Sequence, residues 1–345
     1  MEYTTLGKTG LRVSRCAFGA LPIQRVAFEE GVKLLRAALD NGINFFDTAH
    51  GYFDSEEKMG AAFRGVRDSV IIASKAPGLT HDVYREQLNE SLRRLGVDYI
   101  DLYQFHFTKK VHRPGEPDGL YDAALAAKSE GLIRHIGITT HLLDIAIEAA
   151  ESGLYDTVQF PISYLSNERE LELVSVCQKN NVGLLAMKAL AGGLITDARI
   201  AWLFMRQYDN VVPIWGLQRM SELEEFLSFE ADNPVWTDEL REKEARDKKE
   251  LSGNFCRGCD YCLPCPANIQ VGMVTRMPLF IERLKPEALM SPEWRGMMTP
   301  AENCIHCGAC KSRCPYELDP EAMVAEAIEH FKAFEVEWDK REKKR

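Results

Sequence analysis

The residues best suited to chemistry are cysteines, eight of which lie in two short runs near the C-terminal end of the chain. The first run holds Cys256, Cys259, Cys262 and Cys265, and the second holds Cys304, Cys307, Cys310 and Cys314. Gaps of two residues let the backbone curl, so that three successive thiolates converge on one small volume, as a 4Fe–4S cluster requires. The spacing therefore predicts two iron–sulfur clusters.

The last cysteine of each run decides how the ligands are shared. The second run follows the bacterial ferredoxin pattern, with three residues before its last cysteine and a proline after it, whereas only two residues precede Cys265. In two-cluster ferredoxins the last cysteine of each run ligates the other cluster. We therefore expect one cluster on Cys256, Cys259, Cys262 and Cys314, and the second on Cys304, Cys307, Cys310 and Cys265.

Disulfides and zinc are the alternative uses of these cysteines. Disulfides are disfavoured because no signal peptide is recognisable at Met1 and so many close thiols would mispair. Zinc is the stronger alternative, but structural zinc sites pair two C-x2-C dyads and need no third and fourth cysteine at the same spacing. Cys16 and Cys177 lie alone in apolar runs and are expected to be buried packing residues.

The composition is that of a globular chain. The length of 345 residues predicts about two domains, and 46% hydrophobic with 27% charged residues is sufficient for a full core. A net charge of −10 argues against nucleic acid as a partner. Because no apolar run approaches the roughly 20 residues that span a bilayer, we expect no membrane partner and a cytoplasmic location.

Eight short runs rich in β-forming residues alternate with amphipathic helical stretches before the cysteines. The runs are residues 15–18, 45–47, 70–75, 100–106, 135–139, 157–160, 182–187 and 211–215. This alternation predicts a parallel sheet with covered faces, and eight units close a (β/α)8, or TIM, barrel. A doubly wound sheet is disfavoured because no G-x-G-x-x-G turn follows the first strand.

Four ionisable residues end or follow adjacent strands of that barrel: Asp47, Tyr52, Lys75 and His106. Active sites of this fold lie at the carboxyl ends of the strands, so the four side chains are expected to share one pocket. An ammonium beside a tyrosine favours the phenolate and lowers its pKa, and the tyrosine can then exchange protons. Each residue alone has a structural alternative, as a cap, a surface charge or a core imidazole. Together they predict a catalytic site.

These residues resemble those of the aldo/keto reductases. The resemblance rests on residues 3–14, similar to the hairpin beneath the family's barrel, on 46–52 with Ser55 and Glu56, on Lys75 and His106, and on 131–137 with Gln159. It covers about residues 1–230, and the cysteine-rich part resembles the ferredoxin-type extension of one branch of the family. The expected fold is therefore a TIM barrel followed by a mostly helical, ferredoxin-like iron–sulfur domain.

The resemblance implies an NADP(H)-dependent carbonyl reductase or alcohol dehydrogenase acting on a small-molecule carbonyl or alcohol. Tyr52 would protonate the oxygen, Lys75 and Asp47 would tune Tyr52, and His106 would orient the substrate. The family positions that contact the cofactor correspond to Thr139, Gln159, Met187, Lys188, Leu190, Gly216 and Gln218. Glu222 stands where an arginine is frequent and would repel a 2′-phosphate, so NADP(H) and NAD(H) both remain open.

The expected domains are the barrel over residues 1–232, a helical linker over 233–252 and the two-cluster domain over 253–345. Thr237 is expected to cap the linker helix. Asp319 and Pro320 are expected to begin a final helix, whose apolar stripe would pack on the protein itself. The members of that stripe are Met323, Ala327, Phe331, Phe334 and Trp338.

Two functions follow from these parts. In the first, the protein is a nicotinamide-dependent oxidoreductase with two clusters, and ferredoxin or another electron carrier is a partner. In the second, it is a ferredoxin-linked electron-transfer or redox-sensing protein with little carbonyl chemistry. The four polar residues at the strand ends favour the first function.

Overall fold

The computed structural model describes residues 1–251 and 255–342. It divides into two compact units. The first contains Met1–Ala189 and Asp197–Glu242, and the second contains Leu190–Thr196 and Lys243–Arg345. The expected boundary between linker and cluster domain, at residues 252 and 253, lies outside the described residues. Each unit is described separately.

The first unit is built around a closed parallel barrel. A short hairpin, β1 (Tyr3–Thr5) and β2 (Arg12–Ser14), precedes it. The barrel strands are β3 (Ala17–Gly19), β4 (Phe45–Asp47), β5 (Ile71–Ala76), β6 (Ile100–Phe105), β7 (Ile133–Thr139), β8 (Thr157–Pro161), β9 (Gly183–Met187) and β10 (Val211–Gly216). Neighbours in sequence pair in parallel, and β10 pairs with β3 to close the ring. The predicted (β/α)8 barrel is confirmed.

Helices follow the barrel strands. They are α1 (Phe28–Asp40), α2 (Ser55–Ala62), α3 (His81–Leu95), α4 (Leu120–Ser129), α5 (Leu143–Glu151), α6 (Glu168–Lys179), α7 (Ala198–Met205) and α8 (Met220–Asp232). Helix α3 shows how the sequence defines them. The Thr80 hydroxyl accepts a hydrogen bond from the Val83 amide, and Gly96 ends the helix in the left-handed conformation. Its apolar residues at three- and four-residue spacing, Leu88 and Leu92 among them, are buried.

The hairpin closes the barrel at the amino ends of the strands. Leu6 and Val13 are buried in the same core cluster as residues inside the barrel, such as Leu102. Gly7 has a φ of +50°, and a Cβ there would lie 2.3 Å from the amide nitrogen of Gly183, the first residue of β9. Only glycine permits this close approach. The opposite, carboxyl ends of the strands therefore remain for the site.

The second unit is helical in its regular structure. Its helices are α9 (Asp238–Glu250), which begins in the first unit, then α10 (Val271–Val274), α11 (Met277–Arg283), α12 (Pro286–Leu289), α13 (Pro292–Met298), α14 (Ala309–Ser312) and α15 (Pro320–Glu342). The Thr237 hydroxyl accepts from the Leu240 amide at 3.3 Å, as expected of a cap. Within this unit Arg283 pairs with Asp247 at 3.1 Å and with Glu250 at 2.8 Å.

The final helix α15 begins as expected, since Asp319 Oδ1 accepts a hydrogen bond from the Ala322 amide at 3.3 Å. Ala327 and Phe331 of the predicted stripe are buried together with Val324. Met323, Phe334 and Trp338 are only partly buried. Within the described ranges, 1–251 and 255–342, no helix has the length and hydropathy of a membrane span.

Candidate active site

An ion pair between Asp47 and Lys75 lies inside the carboxyl end of the barrel. Asp47 is the last residue of β4, and Lys75 lies one residue before the end of β5. Asp47 Oδ2 and Lys75 Nζ are 2.7 Å apart, and Lys75 also donates to the carbonyl oxygen of Thr48. Burial raises the pKa of Asp47 and lowers that of Lys75, and the attraction between the two charges opposes both shifts.

Tyr52 and His106 lie beside this pair. Tyr52 is in the loop after β4, and His106 directly follows β6. Their rings meet edge to face with centroids 5.8 Å apart, and Lys75 Nζ is 5.2 Å from the centroid of the Tyr52 ring. Adjacent strand ends thus bring all four predicted residues together, and both rings are partly buried.

The pKa of Tyr52 differs from the sequence-based expectation. We expected Lys75 to lower it. In the structure burial raises it, and the negative charge of Asp47 raises it further. The expected direction is wrong because burial disfavours the charged phenolate and the charge of Asp47 adds to that effect. Burial, followed by the charge of Lys75, lowers the pKa of His106 to about 3. Near neutral pH Tyr52 therefore retains its proton and His106 is uncharged.

Gln104 belongs to the site, although the sequence analysis did not single it out. Its amide donates to Gln159 Oε1 at 2.9 Å and to Asp47 Oδ1 at 3.4 Å. Gln104 pairs in register with Lys75 on one side and with Gly137 on the other. A Cβ on Gly137 would lie 2.8 Å from Gln104 Cγ, so the glycine makes room for the amide. The available signal was a polar residue inside the apolar strand β6.

His141 also belongs to the site and was likewise not singled out. It is buried after β7, and its ring lies 6.1 Å from that of Phe107, which lies 6.3 Å from the ring of His106. Burial lowers the pKa of His141 well below its usual value, and the charges of Lys188 and His106 lower it further. The available signal was a histidine directly after the two threonines that end the strand.

The positions expected to contact a nicotinamide lie mostly at the carboxyl ends of the remaining strands. Thr139 ends β7, Met187 ends β9 and Gly216 ends β10, while Gln159 lies within β8. The Thr139 hydroxyl accepts from the Phe107 amide at 2.9 Å. Two further positions follow Met187. Lys188 has a φ of +57°, and Leu190 begins the segment that is grouped with the second unit.

Glu222 accepts hydrogen bonds from backbone amides at the start of α8, beside Gln218. Its Oε2 accepts hydrogen bonds from the amides of Gln218 at 2.8 Å and Arg219 at 3.1 Å, at the start of α8. Backbone amides at a helix start are the donors that a phosphate would otherwise use. The rings of Trp215 in β10 and Phe226 in α8 pack with centroids 4.4 Å apart. The carboxylate of Glu222 is therefore the anion at this helix terminus.

In the first cysteine run Cys262 is buried, and Cys256, Cys259 and Cys265 are partly buried. Burial raises the pKa of Cys262 to about 12, and the nearby Asp260, Cys256 and Cys259 raise it further. The two-residue gaps between these cysteines fit three ligands of one 4Fe–4S cluster.

The second run and Cys265 line a common cavity. Cys265, Cys304, Cys307 and Cys310 are all among the residues around it, and Cys262 of the first run lines it too. Cys314 is not among the described residues that line this cavity. Arg313 donates to the carbonyl oxygen of Pro264 at 3.1 Å, which ties the end of one run to the other. This donor set fits the expected sharing of Cys265. By contrast, Cys16 and Cys177 are buried in the first unit, as expected of packing residues.

Comparison with known families decides the classification. Residues 16–202 match the model of the "Aldo/keto reductase family", which is more than half of the chain. The chain belongs to the aldo/keto reductase family. Residues 255–318 match the "4Fe-4S dicluster domain", so a two-cluster domain follows the reductase barrel. The reductase with its iron–sulfur extension is thus confirmed.

Individual relatives agree with this classification. Aldo-keto reductase YhdN of Bacillus subtilis is 31% identical over 219 residues, which cover 57% of this chain and 64% of YhdN. The NADH-specific methylglyoxal reductase of Escherichia coli is 30% identical over 57% of this chain and 69% of its own length. A crystal structure of an aldo-keto reductase from Pseudomonas aeruginosa matches with a TM-score of 0.58 and 27% identity, over 67% of this chain and 94% of that one.

Proposed function

We propose that this reductase interconverts a small-molecule carbonyl and its alcohol, with Tyr52 as the general acid or base, in a protein coupled to two 4Fe–4S clusters. The observation that carries the proposal is the buried pair of Asp47 and Lys75 directly beside the rings of Tyr52 and His106. A surface charge or a strand-end cap would not need a buried ammonium in this position.

Each of the four side chains has a distinct task in this proposal. Tyr52 carries its proton near neutral pH and donates it to the substrate oxygen. The Lys75 ammonium, held by Asp47, stabilises the phenolate that remains. Neutral His106 donates an N–H to the same oxygen and fixes its direction. In alcohol oxidation the same groups act in reverse.

A nicotinamide bound at the carboxyl ends of β7 to β10 would supply or accept the hydride. Thr139 and Gln159 offer polar atoms to its carboxamide. Met187 and Lys188 would lie near its ring, and Gly216 would let the cofactor lie close to the backbone. Leu190 and Gln218 are the remaining positions expected to contact the nicotinamide cofactor. Thioether sulfur is soft enough to pack on a ring, although it defines its geometry less than an aromatic side chain does.

The charge at the start of α8 favours NADH over NADPH. Glu222 occupies the two amides that a 2′-phosphate would use, and its carboxylate would repel that phosphate. The name of the Escherichia coli relative states NADH specificity, which points in the same direction.

The clusters would exchange single electrons with ferredoxin or another carrier. Cys256, Cys259, Cys262 and Cys314 would hold one cluster, and Cys304, Cys307, Cys310 and Cys265 the other. Cys307 and Ile305 are exposed, which gives an electron carrier access to the second set. Iron–sulfur potentials depend on such exposure and on nearby charge.

A second candidate function is electron transfer or redox sensing with little carbonyl chemistry. Two complete sets of cysteines favour it, as does the packing of Phe226 and Glu222 in the region expected to hold the adenosine phosphate. The reductase is preferred because all four polar residues are present and in contact around one ion pair.

One anaerobic titration separates the two candidates. Purified holoprotein is titrated with NADH, NADPH and reduced ferredoxin while the visible absorbance of the clusters is followed. The reductase predicts that NADH binds, and that methylglyoxal or benzaldehyde then oxidises it in the presence of the protein. Bleaching by ferredoxin alone, with no nicotinamide binding and no carbonyl turnover, would establish the second candidate instead.

A further inference from the structure

Arg276 is a buried cation in the second unit, between α10 and α11. It is 6% exposed. Its Nε donates to the carbonyl oxygen of Gly272 at 2.7 Å and one Nη donates to that of Gly192 at 3.1 Å. The other Nη lies 3.2 Å from the sulfur of Met273, and the guanidinium carbon is 5.1 Å from the centre of the Phe280 ring. Its contacts are therefore neutral groups.

No carboxylate among residues 1–251 and 255–342 lies within ion-pairing distance of this guanidinium. Arg15 is the one other arginine of the described residues that is buried to the same degree, and it pairs with Glu2 at 2.9 Å. A buried charge without a counter-charge costs several kcal/mol. Burial lowers the pKa of Arg276, whereas Cys256, Asp260 and Cys259 raise it. These two thiols and one carboxylate place the negative charge that acts on Arg276 on the side of the first cysteine run.

The guanidinium lies against the backbone of the first cysteine run. Gly258, between Cys256 and Cys259, has a φ of +57°, and a Cβ there would be 3.0 Å from both Cζ and Nη2 of Arg276. Gly192 meets the other edge, where a Cβ would lie 2.5 Å from Nη1. Two glycines thus form a slot for the arginine. A larger side chain at either position would displace it.

We propose that Arg276 is the counter-charge of the cluster held by Cys256, Cys259, Cys262 and Cys314, and that it makes this cluster the higher-potential one of the two. Reduction adds one electron to a cluster and leaves it more negative. A fixed positive charge stabilises the reduced form more than the oxidised form, and does so strongly where water is excluded. The inference rests on the proposed cluster ligands and not on the carbonyl chemistry.

The charged side chains near the second set of cysteines are exposed and paired, unlike Arg276. Lys311 is exposed and pairs with Asp319 at 2.6 Å, and His306 is exposed and contacts Glu321 at 2.8 Å. Exposed pairs of opposite charge contribute little net potential. Arg276 is instead buried with no carboxylate of the described residues within ion-pairing distance, although the more distant charge of Asp260 acts on it. The first set of cysteines would therefore hold the cluster that is reduced more easily.

The test is a potentiometric titration of the anaerobic full-length holoprotein with dithionite, followed by electron paramagnetic resonance. The variants are Arg276→Met, Arg276→Lys and the matched control Arg295→Met, which removes a half-exposed arginine of the same unit that pairs with Glu335. Arg276→Met is expected to lower the potential of one cluster and leave the other unchanged. Arg276→Lys is expected to remain near wild type, and Arg295→Met to shift neither potential.

Cys307→Ser assigns the signals, because it alters the spectrum of the second cluster. In otherwise wild-type protein, the signal that it leaves unaltered is expected to be the higher in potential. Unchanged potentials in Arg276→Met, or a higher potential for the cluster that Cys307→Ser perturbs, would overturn the proposal. If Arg276→Met loses half of its iron, Arg276→Lys decides the test. Full iron content and a wild-type potential in Arg276→Lys then support the need for a positive charge. Iron loss in both variants overturns the proposal. Wild-type protein without iron would contradict the cluster ligands themselves, whereas the carbonyl reaction is tested separately.

Discussion

Oδ2 of Asp47 lies 2.7 Å from Nζ of Lys75, and the two side chains are 5% and 1% exposed. Such a pair is held by its surroundings, since Gln104 donates to the other carboxylate oxygen and Thr48 accepts from the ammonium. Low polarity around the pair strengthens its field at the neighbouring Tyr52 ring. The same burial makes the loss of either partner costly.

Replacing Lys75 by Met is expected to destabilise the protein by about 3–5 kcal/mol, because Asp47 is then buried without a counter-charge. The double variant Asp47→Asn with Lys75→Met is expected to be less destabilised than the sum of its single variants. Urea denaturation followed by circular dichroism measures both effects. Lys33→Met is the control, because Lys33 pairs with Glu30 on the surface and its loss should cost less than about 0.5 kcal/mol. Strict additivity would show that the two buried charges act independently.

Replacing Glu222 by Gln is expected to strengthen NADPH binding relative to NADH. The amide oxygen still accepts from the backbone amides of Gln218 and Arg219, but the negative charge that repels a 2′-phosphate is gone. We expect the NADPH dissociation constant to fall about tenfold, with that of NADH nearly unchanged. Fluorescence titration with each nucleotide measures this ratio. An equal change for both nucleotides would mean that Glu222 does not face the adenosine ribose. Glu224→Gln, a charge change nearby on the same helix, serves as the control.

The sharing of Cys265 predicts which cluster each cysteine variant disturbs. Cys265→Ser is expected to alter the same resonance signal as Cys304→Ser, because both residues line one cavity. Cys314→Ser is expected to alter the other signal. Iron analysis with electron paramagnetic resonance of the reduced proteins measures this, and Cys177→Ser, which changes a buried thiol of the first unit, should change neither. If Cys265→Ser instead matched Cys256→Ser, each run would supply its own fourth ligand.

His106 makes a predictable contribution to the pH dependence of stability. Its pKa falls from 6.5 to about 3 on folding, so between these values the unfolded chain binds a proton that the folded protein does not. Its contribution to stability is therefore lost as the pH falls below about 6.5, by up to about 1.4 kcal/mol per pH unit.

His106→Gln removes that titration. Denaturation at about pH 7 and about pH 5 is expected to show a smaller loss of stability in the variant than in the wild type. His81→Gln, which changes a half-exposed histidine at the start of α3, should leave the wild-type loss intact. An identical loss in His106→Gln and the wild type would mean that His106 titrates normally in the folded protein.

The alternation of apolar runs and amphipathic helices was sufficient to predict all eight barrel strands, because buried parallel strands and covering helices have distinct periods. The same logic placed Asp47, Tyr52, Lys75 and His106 at one end of the barrel. The pKa of Tyr52 was not predictable, because it depends on burial and on how completely Asp47 neutralises Lys75. Gln104 and His141 were missed because a single polar residue in or after a strand carries no spacing signal. Arg276 has no sequence signal either, since the two glycines that make room for it, Gly192 and Gly258, are distant from it in the chain.

The central claim is that Tyr52 transfers the proton in a nicotinamide-dependent carbonyl reaction. The most direct test is the NADH-dependent reduction of methylglyoxal and benzaldehyde by wild-type and Tyr52→Phe proteins with matched iron content. Tyr3→Phe is the control, because its hydroxyl donates to the carbonyl oxygen of Gly42 at the other end of the barrel. We expect kcat/KM to fall by about two to four orders of magnitude in Tyr52→Phe, with NADH binding and cluster absorbance unchanged. Turnover in Tyr52→Phe within about twofold of the wild type would contradict the account.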